Sequence, residues 1–401
     1  MASPPSTEAA ISESAGLPIR SLLSATLCAV IWHILILVFG FACFQSDPPL
    51  EKSQKSQEQA AGILAVEASP KVRAWYQWDA FWFVHLSRWG YVLETTPDGE
   101  LGQSNIAFTP GLAIVAAALS ETKLINPWAG LLVFNLIAAS LATAAIGAIS
   151  WKLTNSRTVM FWSIAIYTVW PWRFFMIAPY QEAAGAAFAF WAVLAFFSGH
   201  AIPGLVSAML SSAFRLNAVG LFGGLLAGCF VELIRGHDRK LRLRQILVCS
   251  GALLGWALLL GYFQLKFGDA SLGVRIQSTW GRQPPHLSGI VESLGAPFYH
   301  RMTGTELLDW LTAWAVFAMI PLVYRNYGLI WAASLAGLTV QALSTSRVLS
   351  FGRFALLAFP VFVLAGQLAA RWPRIATILC AMCLIFQVFL AWRFGQGQFV
   401  G

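Results

Sequence analysis

Long apolar runs separated by short polar turns dominate the chain. They fall at 22–44, 127–150, 158–178, 183–198, 202–214, 216–233, 245–266, 306–324, 328–344, 352–369 and 375–394. Such runs lack the period-two alternation of barrel strands. They predict helices that cross a bilayer, at about 20 residues per crossing. The pair 202–214 and 216–233 is short for two crossings. The run 106–119 is shorter still, and suits a re-entrant or interfacial segment. Two stretches interrupt the pattern. Residues 1–19, rich in Ser, Ala, Pro and Glu, read as a disordered cytoplasmic tail. Residues 45–70, with the polar string EKSQKSQEQ, do not suit a membrane interior. The rest, 20–401, reads as one membrane domain.

Lysine and arginine then assign the sides. If 106–119 does not cross and the N-terminus is cytoplasmic, the cytoplasmic turns hold Lys152, Arg157, the cluster Arg235, Arg239, Lys240, Arg242 and Arg244, then Arg325, Arg371 and Arg374. That is a consistent positive-inside pattern. If 106–119 crosses, the 235–244 cluster falls outside. The expectation is therefore an all-α polytopic bundle of about eleven crossings, its C-terminus outside. Its first outer loop is 46–105 and its second large outer loop 267–305. The outer segments are also where charged residues sit against aromatic ones: Trp78-Asp79, Pro179 to Glu182, Ser211 to Asn217 and Ser344 to Arg353.

Composition agrees. Of 401 residues, 58% are hydrophobic and 11% charged, against about 25% charged in soluble domains. Mean hydropathy is +0.66. The net charge, 26 − 18 = +8, reads as a topology signal beside anionic lipid, not a nucleic-acid surface. The six cysteines lie in or beside apolar runs, so no disulfide framework is indicated. Cys380 and Cys383 form a CxxC with no second pair or nearby histidine, which argues against a metal site. No HExxH, P-loop, Gly-rich dinucleotide turn or GxSxG is present, and no cofactor is expected.

Four segments carry candidate chemistry. Trp75, Trp78, Trp82, His85 and Trp89 are spaced 3, 4, 3 and 4, which predicts a tryptophan stripe on a helix lying in the headgroup region. Asp79 is one position off that stripe. A carboxylate held partly out of water is a stronger base; an acid capping the helix start is the other reading. Glu182 opens an apolar helix, where dipole complementarity alone would suit it. Arg215 stands between two apolar half-segments, either as a functional charge or snorkelling to headgroups. Arg347 and Arg353 flank the turn Ser350 to Gly352, as phosphate forks or helix-end anchors.

Taken together these segments resemble the PIG-V family, integral membrane glycosyltransferases of the GPI mannosyltransferase 2 type, with a bacterial-type member favoured. Trp78-Asp79 through Gly90-Tyr91 is similar to the family's WDxxxFxxIAxxGY. Asn105 to Pro110 is similar to its AFFP, Ala178 to Glu182 to its PYSE, and Ser212 to Asn217 to its TRSNG or TRPTG. Gly268-Asp269 through Trp280-Gly281-Arg282 resembles the bacterial GDPLAF…W-G-R element. Ser350 to Pro360 resembles MPRYLLAAFP. The matches keep the family's order over 78–360. The chain departs from it at Thr109, where the family has a second Phe, at Gln181, where it has Ser, and around Arg215.

The resemblance implies a GT-C-like bundle with juxtamembrane helices in the first outer loop. It implies inverting transfer of mannose from a polyprenyl-phosphate donor to a lipid-linked or glycan acceptor on the non-cytoplasmic face. Asp79 matches the family's loop carboxylate and would be the general base, with Glu182 a second catalytic acid. Trp78, His85, Tyr180, Arg215, Trp280, Arg282 and Arg353 would bind substrate. The expected location is a bacterial plasma membrane, or the endoplasmic reticulum if the source is eukaryotic. A transporter or flippase of a lipid-linked anion is the alternative. It would place ionisable residues near mid-bilayer at broken helices, whereas the candidates here lie at the ends of apolar runs.

Overall fold

The computed structural model describes residues 16–43, 55–299 and 301–400. The expected tail falls outside these up to residue 15, as does the polar stretch through residue 54. Among the described residues no β-strand forms; one isolated bridge pairs Thr95 with Leu101. The chain is helical: α1 Ile19–Cys43, α2 Lys55–Glu67, α3 Pro70–Arg73, α4 Ala80–Trp89, α5 Gly111–Thr122, α6 Pro127–Thr154, α7 Arg157–Thr168, α8 Glu182–Ser198, α9 Ala201–Phe214 and α10 Ala218–Ile234. There follow α11 Arg239–Phe267, α12 Leu272–Arg275, α13 Leu287–Leu294, α14 Ala296–Tyr299, α15 Gly304–Tyr327, α16 Leu329–Leu343, α17 Phe351–Phe354, α18 Phe359–Arg371 and α19 Pro373–Gly395.

Each of the eleven apolar runs carries a helix. Five of these, α1, α6, α11, α15 and α19, are long and apolar enough to cross a membrane alone. The segment Phe351–Leu357 with α18, bent by 82°, makes a sixth if counted as one broken span. The protein is thus an all-α, multi-pass membrane protein. The remaining apolar helices are shorter. The 12 residues of α5 extend about 18 Å, short of a hydrocarbon core of roughly 30 Å. The run 158–178 is not one helix. It stops at Thr168, because Pro171 imposes extended backbone on Trp170, and a 3₁₀ segment Pro171–Met176 follows.

Local chemistry sets the other boundaries. Asn126 caps α6 by accepting from the backbone N–H of Trp128 and Ala129, both at 3.1 Å, with Pro127 at the first helical position. Asp238 caps α11 through Lys240 and Leu241. Thr303 and Glu306 form a reciprocal capping box on α15.

Small residues let helices touch backbone to backbone. A Cβ on Gly224 of α10 would lie 2.0 Å from the Ala333 carbonyl of α16, and one on Gly337 would lie 2.3 Å from the Gly220 carbonyl.

The tryptophan segment differs from the expected stripe. Only α4 is helical; Trp75 and Trp78 precede it in tight turns. Trp78 has φ +50°, a left-handed value that no α-helix continues through. Trp75, Trp82 and His85 are buried, and Trp89 alone of the five is well exposed, at 45%. Trp75 packs on α1, where a Cβ at Gly40 would meet its ring. The aromatic side of this segment therefore faces protein, not headgroups.

The two ends of the bundle differ. Glu182 begins α8 and Gly199 follows it. Arg244 packs beside Gly199, so the basic turn 235–244 lies at the end away from Glu182. The end that holds Glu182 also receives the 78–79 turn, the break at 215–217, the 344–353 turn and the segment after α19.

Candidate functional site

At that end is a cavity of about 680 Å³ lined by Trp78, Asp79, Trp82, Arg215, Trp280, Arg282, Arg353 and residues between them. Its centre is built on Arg353. The Arg353 Nε donates to Glu182 Oε1 at 2.7 Å, and its Nη1 donates to Asp79 Oδ2 at 3.1 Å. The guanidinium carbon lies 4.5 Å from the Phe175 ring centroid and 4.9 Å from that of Tyr180. Arg215 Nη1 lies 3.0 Å from the same Glu182 oxygen. Side-chain exposure separates the two acids: 1% for Glu182 and 24% for Asp79. Glu182 is enclosed behind the arginines, while Asp79 faces the cavity.

Several buried contacts hold this arrangement. Tyr180 donates its hydroxyl to the Gln77 carbonyl at 2.8 Å, joining the 178–182 turn to the residue before Trp78. Asn135 of α6 donates to the carbonyls of Ala178 and Tyr180. The turn carrying Arg353 is braced from α15. Asp309 Oδ2 accepts from the Ser350 N–H at 2.8 Å and Oδ1 from the Gly352 N–H at 2.7 Å. Ser350 itself has φ +70°, a strained value for a non-glycine residue that this pair of hydrogen bonds offsets. Neither acid acts as a simple helix cap. Asp79 sits at the N-cap of α4 without a side-chain cap bond, and Glu182 is committed to two arginines.

Arg215 and Arg282 both lie against Phe354, with guanidinium carbons 5.1 and 5.2 Å from its ring. Arg215 Nη2 is buried and has no hydrogen-bond partner among the described residues. Arg282 makes a 3.5 Å contact to the Leu349 carbonyl. Burial, reinforced by the charge of Arg353, lowers Arg282 to about 10, so it stays charged at neutral pH. Arg347 is anchored by donating to the Trp280 carbonyl at 2.8 Å and lies 3.9 Å from Glu306. Leaving that pair aside, three arginines (215, 282, 353) face two carboxylates (79, 182), 3 − 2 = +1. Such an excess of cations favours an anion.

Aromatic rings form one wall. Trp82, Phe108 and Trp280 lie 5.9–6.0 Å apart pairwise. Gln103 and Gln277 stand beside them, donating to the Thr279 and Ala107 carbonyls.

Of the sequence-derived candidates, Trp78, Asp79, Arg215, Trp280, Arg282 and Arg353 line the cavity, and Tyr180 and Glu182 support it from behind. His85 does not line it. Its ring lies between Asn105, 2.9 Å from Nδ1, and Gln59, 3.2 Å from Nε2, and packs on Trp89. Burial pushes His85 down to about 4, so it is neutral at pH 7 and serves packing.

Asp309 and Phe399 escaped the sequence reading. Asp309 carried a signal as an acid inside an apolar run; Phe399 carried none. Thr109 and Gln181, two of the departures from the resembled pattern, contact each other: Thr109 Oγ1 lies 3.0 Å from Gln181 Oε1, and Gln181 Nε2 donates to the Thr109 carbonyl. No cluster of three His, Cys, Asp or Glu suited to a metal occurs among the described residues. The chain matches no protein-family model and no curated protein.

Proposed function

We propose that this protein is an inverting membrane glycosyltransferase that moves mannose from a polyprenyl-phosphate donor to a lipid-linked or glycan acceptor, with Asp79 as general base. The observation that carries the reading is a partly exposed carboxylate, the one acid among the described residues lining the cavity, beside Arg215, Arg282, Arg347 and Arg353 and several aromatic rings. The resemblance to the PIG-V family supplies the sugar and donor class. A GT-C-like bundle follows from the same resemblance. Eleven crossings follow from the charge pattern, with α7, α8, α9, α10 and α16 as shorter crossings and the site on the non-cytoplasmic face of a bacterial plasma membrane.

The chemistry fits the residues. The acceptor hydroxyl oxygen attacks the anomeric carbon as the bond from that carbon to the phosphate oxygen breaks. The hydroxyl proton passes to Asp79. Its Oδ2 accepts from Arg353, which aims the carboxylate before turnover. The lipid phosphate leaves with an added negative charge. Arg215 and Arg282 are better placed than Arg353 to stabilise it, because Arg353 is taken up by two carboxylates. Glu182 positions the arginines. A transfer assay with polyprenyl-phosphate mannose and fractionated membrane lipids tests the reading. Label moving to a lipid fraction in wild type but not in Asp79→Asn supports it; no transfer with any fraction sinks it.

A further inference from the structure

We infer that Phe399 is a positioning residue of this site, fixing Trp78 and through it the direction of the Asp79 carboxylate. The inference rests on the reading of Asp79 as the base. Phe399 lies some 320 positions downstream of Asp79, yet both line the same cavity.

The segment after α19 is anchored there. The N–H groups of Gln396, Gly397 and Gln398 bond back to carbonyls of the last helical turn, those of Trp392, Arg393 and Phe394. Arg393 Nε donates to the Gln398 side chain at 2.6 Å. Gly397, at φ +72°, reverses the chain where a side chain would be strained. Val400 is 1% exposed in the core. Phe399 is thereby held against Trp78, ring centroids 5.4 Å apart and planes at 85°, an edge-to-face aromatic pair.

Trp78 needs such support. It is a bulky residue in the left-handed region, a conformation that persists only where its surroundings over-determine it. The residue before it is already fixed, because the Gln77 carbonyl accepts from Tyr180. The residue after it is Asp79, whose carboxylate makes no cap bond that would fix its direction locally. The Trp78 carbonyl accepts from the Phe81 N–H at 3.2 Å and Arg353 holds Asp79 Oδ2; the Trp78 ring is a further freedom in the turn, and Phe399 restrains it. A Trp78 that relaxes toward ordinary backbone angles rotates the 78–79 peptide and swings the carboxylate away from the cavity.

The first test reads geometry without substrate. In the full-length chain with native cysteines replaced by alanine, Asp79→Cys is titrated with a charged, water-soluble thiosulfonate, with and without Phe399→Ala. The modification rate should change by about threefold or more when Phe399 is truncated, and Phe399→Tyr should restore it. An unchanged rate overturns the inference.

The second test reads turnover with polyprenyl-phosphate mannose and the membrane lipid fraction. Phe399→Ala should lower kcat by about 10–100-fold with little change in donor KM, and Phe399→Tyr should return it close to wild type. Wild-type kcat in Phe399→Ala beside an inactive Asp79→Asn overturns the inference and leaves the function standing. Full activity in Asp79→Asn removes the assignment of the base, and this inference with it. A Phe399→Ala loss that tracks only a lower unfolding temperature, with kcat per folded molecule unchanged, assigns Phe399 to packing and overturns the proposal.

Discussion

Arg353 and Glu182, 171 positions apart, meet at 2.7 Å with both side chains almost wholly enclosed. Two charges removed from water at that depth are held there by pairing with one another. Glu182 also pairs with Arg215 through the same oxygen, so one carboxylate bridges two cations and fixes their spacing.

Glu182→Gln is therefore expected to be destabilising first and inactivating second. Removing one member of a buried pair costs about 3–5 kcal/mol. Thermal unfolding in detergent should show a clear fall in midpoint, larger than that of Asp79→Asn. Equal midpoints for the two variants would contradict the structural role given to Glu182.

Asp79→Asn should fold normally and turn over about 10²–10⁴ times more slowly. The amide keeps a hydrogen-bond acceptor toward Arg353 but cannot take a proton. Turnover near wild type in this variant, with Glu182→Gln folded but dead, would exchange the two roles.

Donor-phosphate binding is expected to depend on Arg215 and Arg282. Lysine keeps the charge at either position but loses the planar fork. Each Arg→Lys variant should weaken affinity for a polyprenyl phosphate, measured by equilibrium binding, and Arg→Ala should weaken it further. Unchanged affinity in both members of either series removes that arginine from the anion site.

Asp309→Asn replaces one acceptor oxygen by a donor that faces a backbone N–H. The Ser350 turn should loosen, and Arg353 should lose its fixed approach to Asp79. We expect reduced kcat with donor affinity largely retained, checked by steady-state kinetics beside a binding isotherm. A normal kcat would show that the turn is held without Asp309.

Asp98→Cys and Lys240→Cys, both exposed positions, should label from opposite sides of sealed vesicles with a membrane-impermeant maleimide. Labelling from the same side would break the topology on which an outward-facing site rests.

The helices were legible because run length and apolar composition are local properties, and the single-ended grouping of the charged segments followed from counting turns and basic residues. The break of the tryptophan segment at Trp78 was not legible. Its spacing fits a helix, and only the packing of Trp75 on Gly40 and of Trp78 on Phe399 shows why the chain turns there. Asp79, Arg215 and Arg353 could be nominated from sequence, but their mutual contacts could not, since hydrogen bonds across hundreds of positions leave no local pattern. His85 shared the stripe's spacing with Trp82 yet faces Asn105 and Gln59. Periodicity names a side of a helix, not the partner that side will find.

The wide separation of the charged residues along the chain also sets an order of events during synthesis. Glu182 enters the nascent bundle well before its second partner exists. At about 5–20 residues per second, the 171 positions to Arg353 take roughly ten to thirty seconds to translate. Arg215 arrives early in that interval and supplies the first countercharge. Asp79 waits longest, with no arginine of its own until Arg353 emerges. A chain halted before Arg353 thus has Arg215 to pair with Glu182 but no arginine for Asp79.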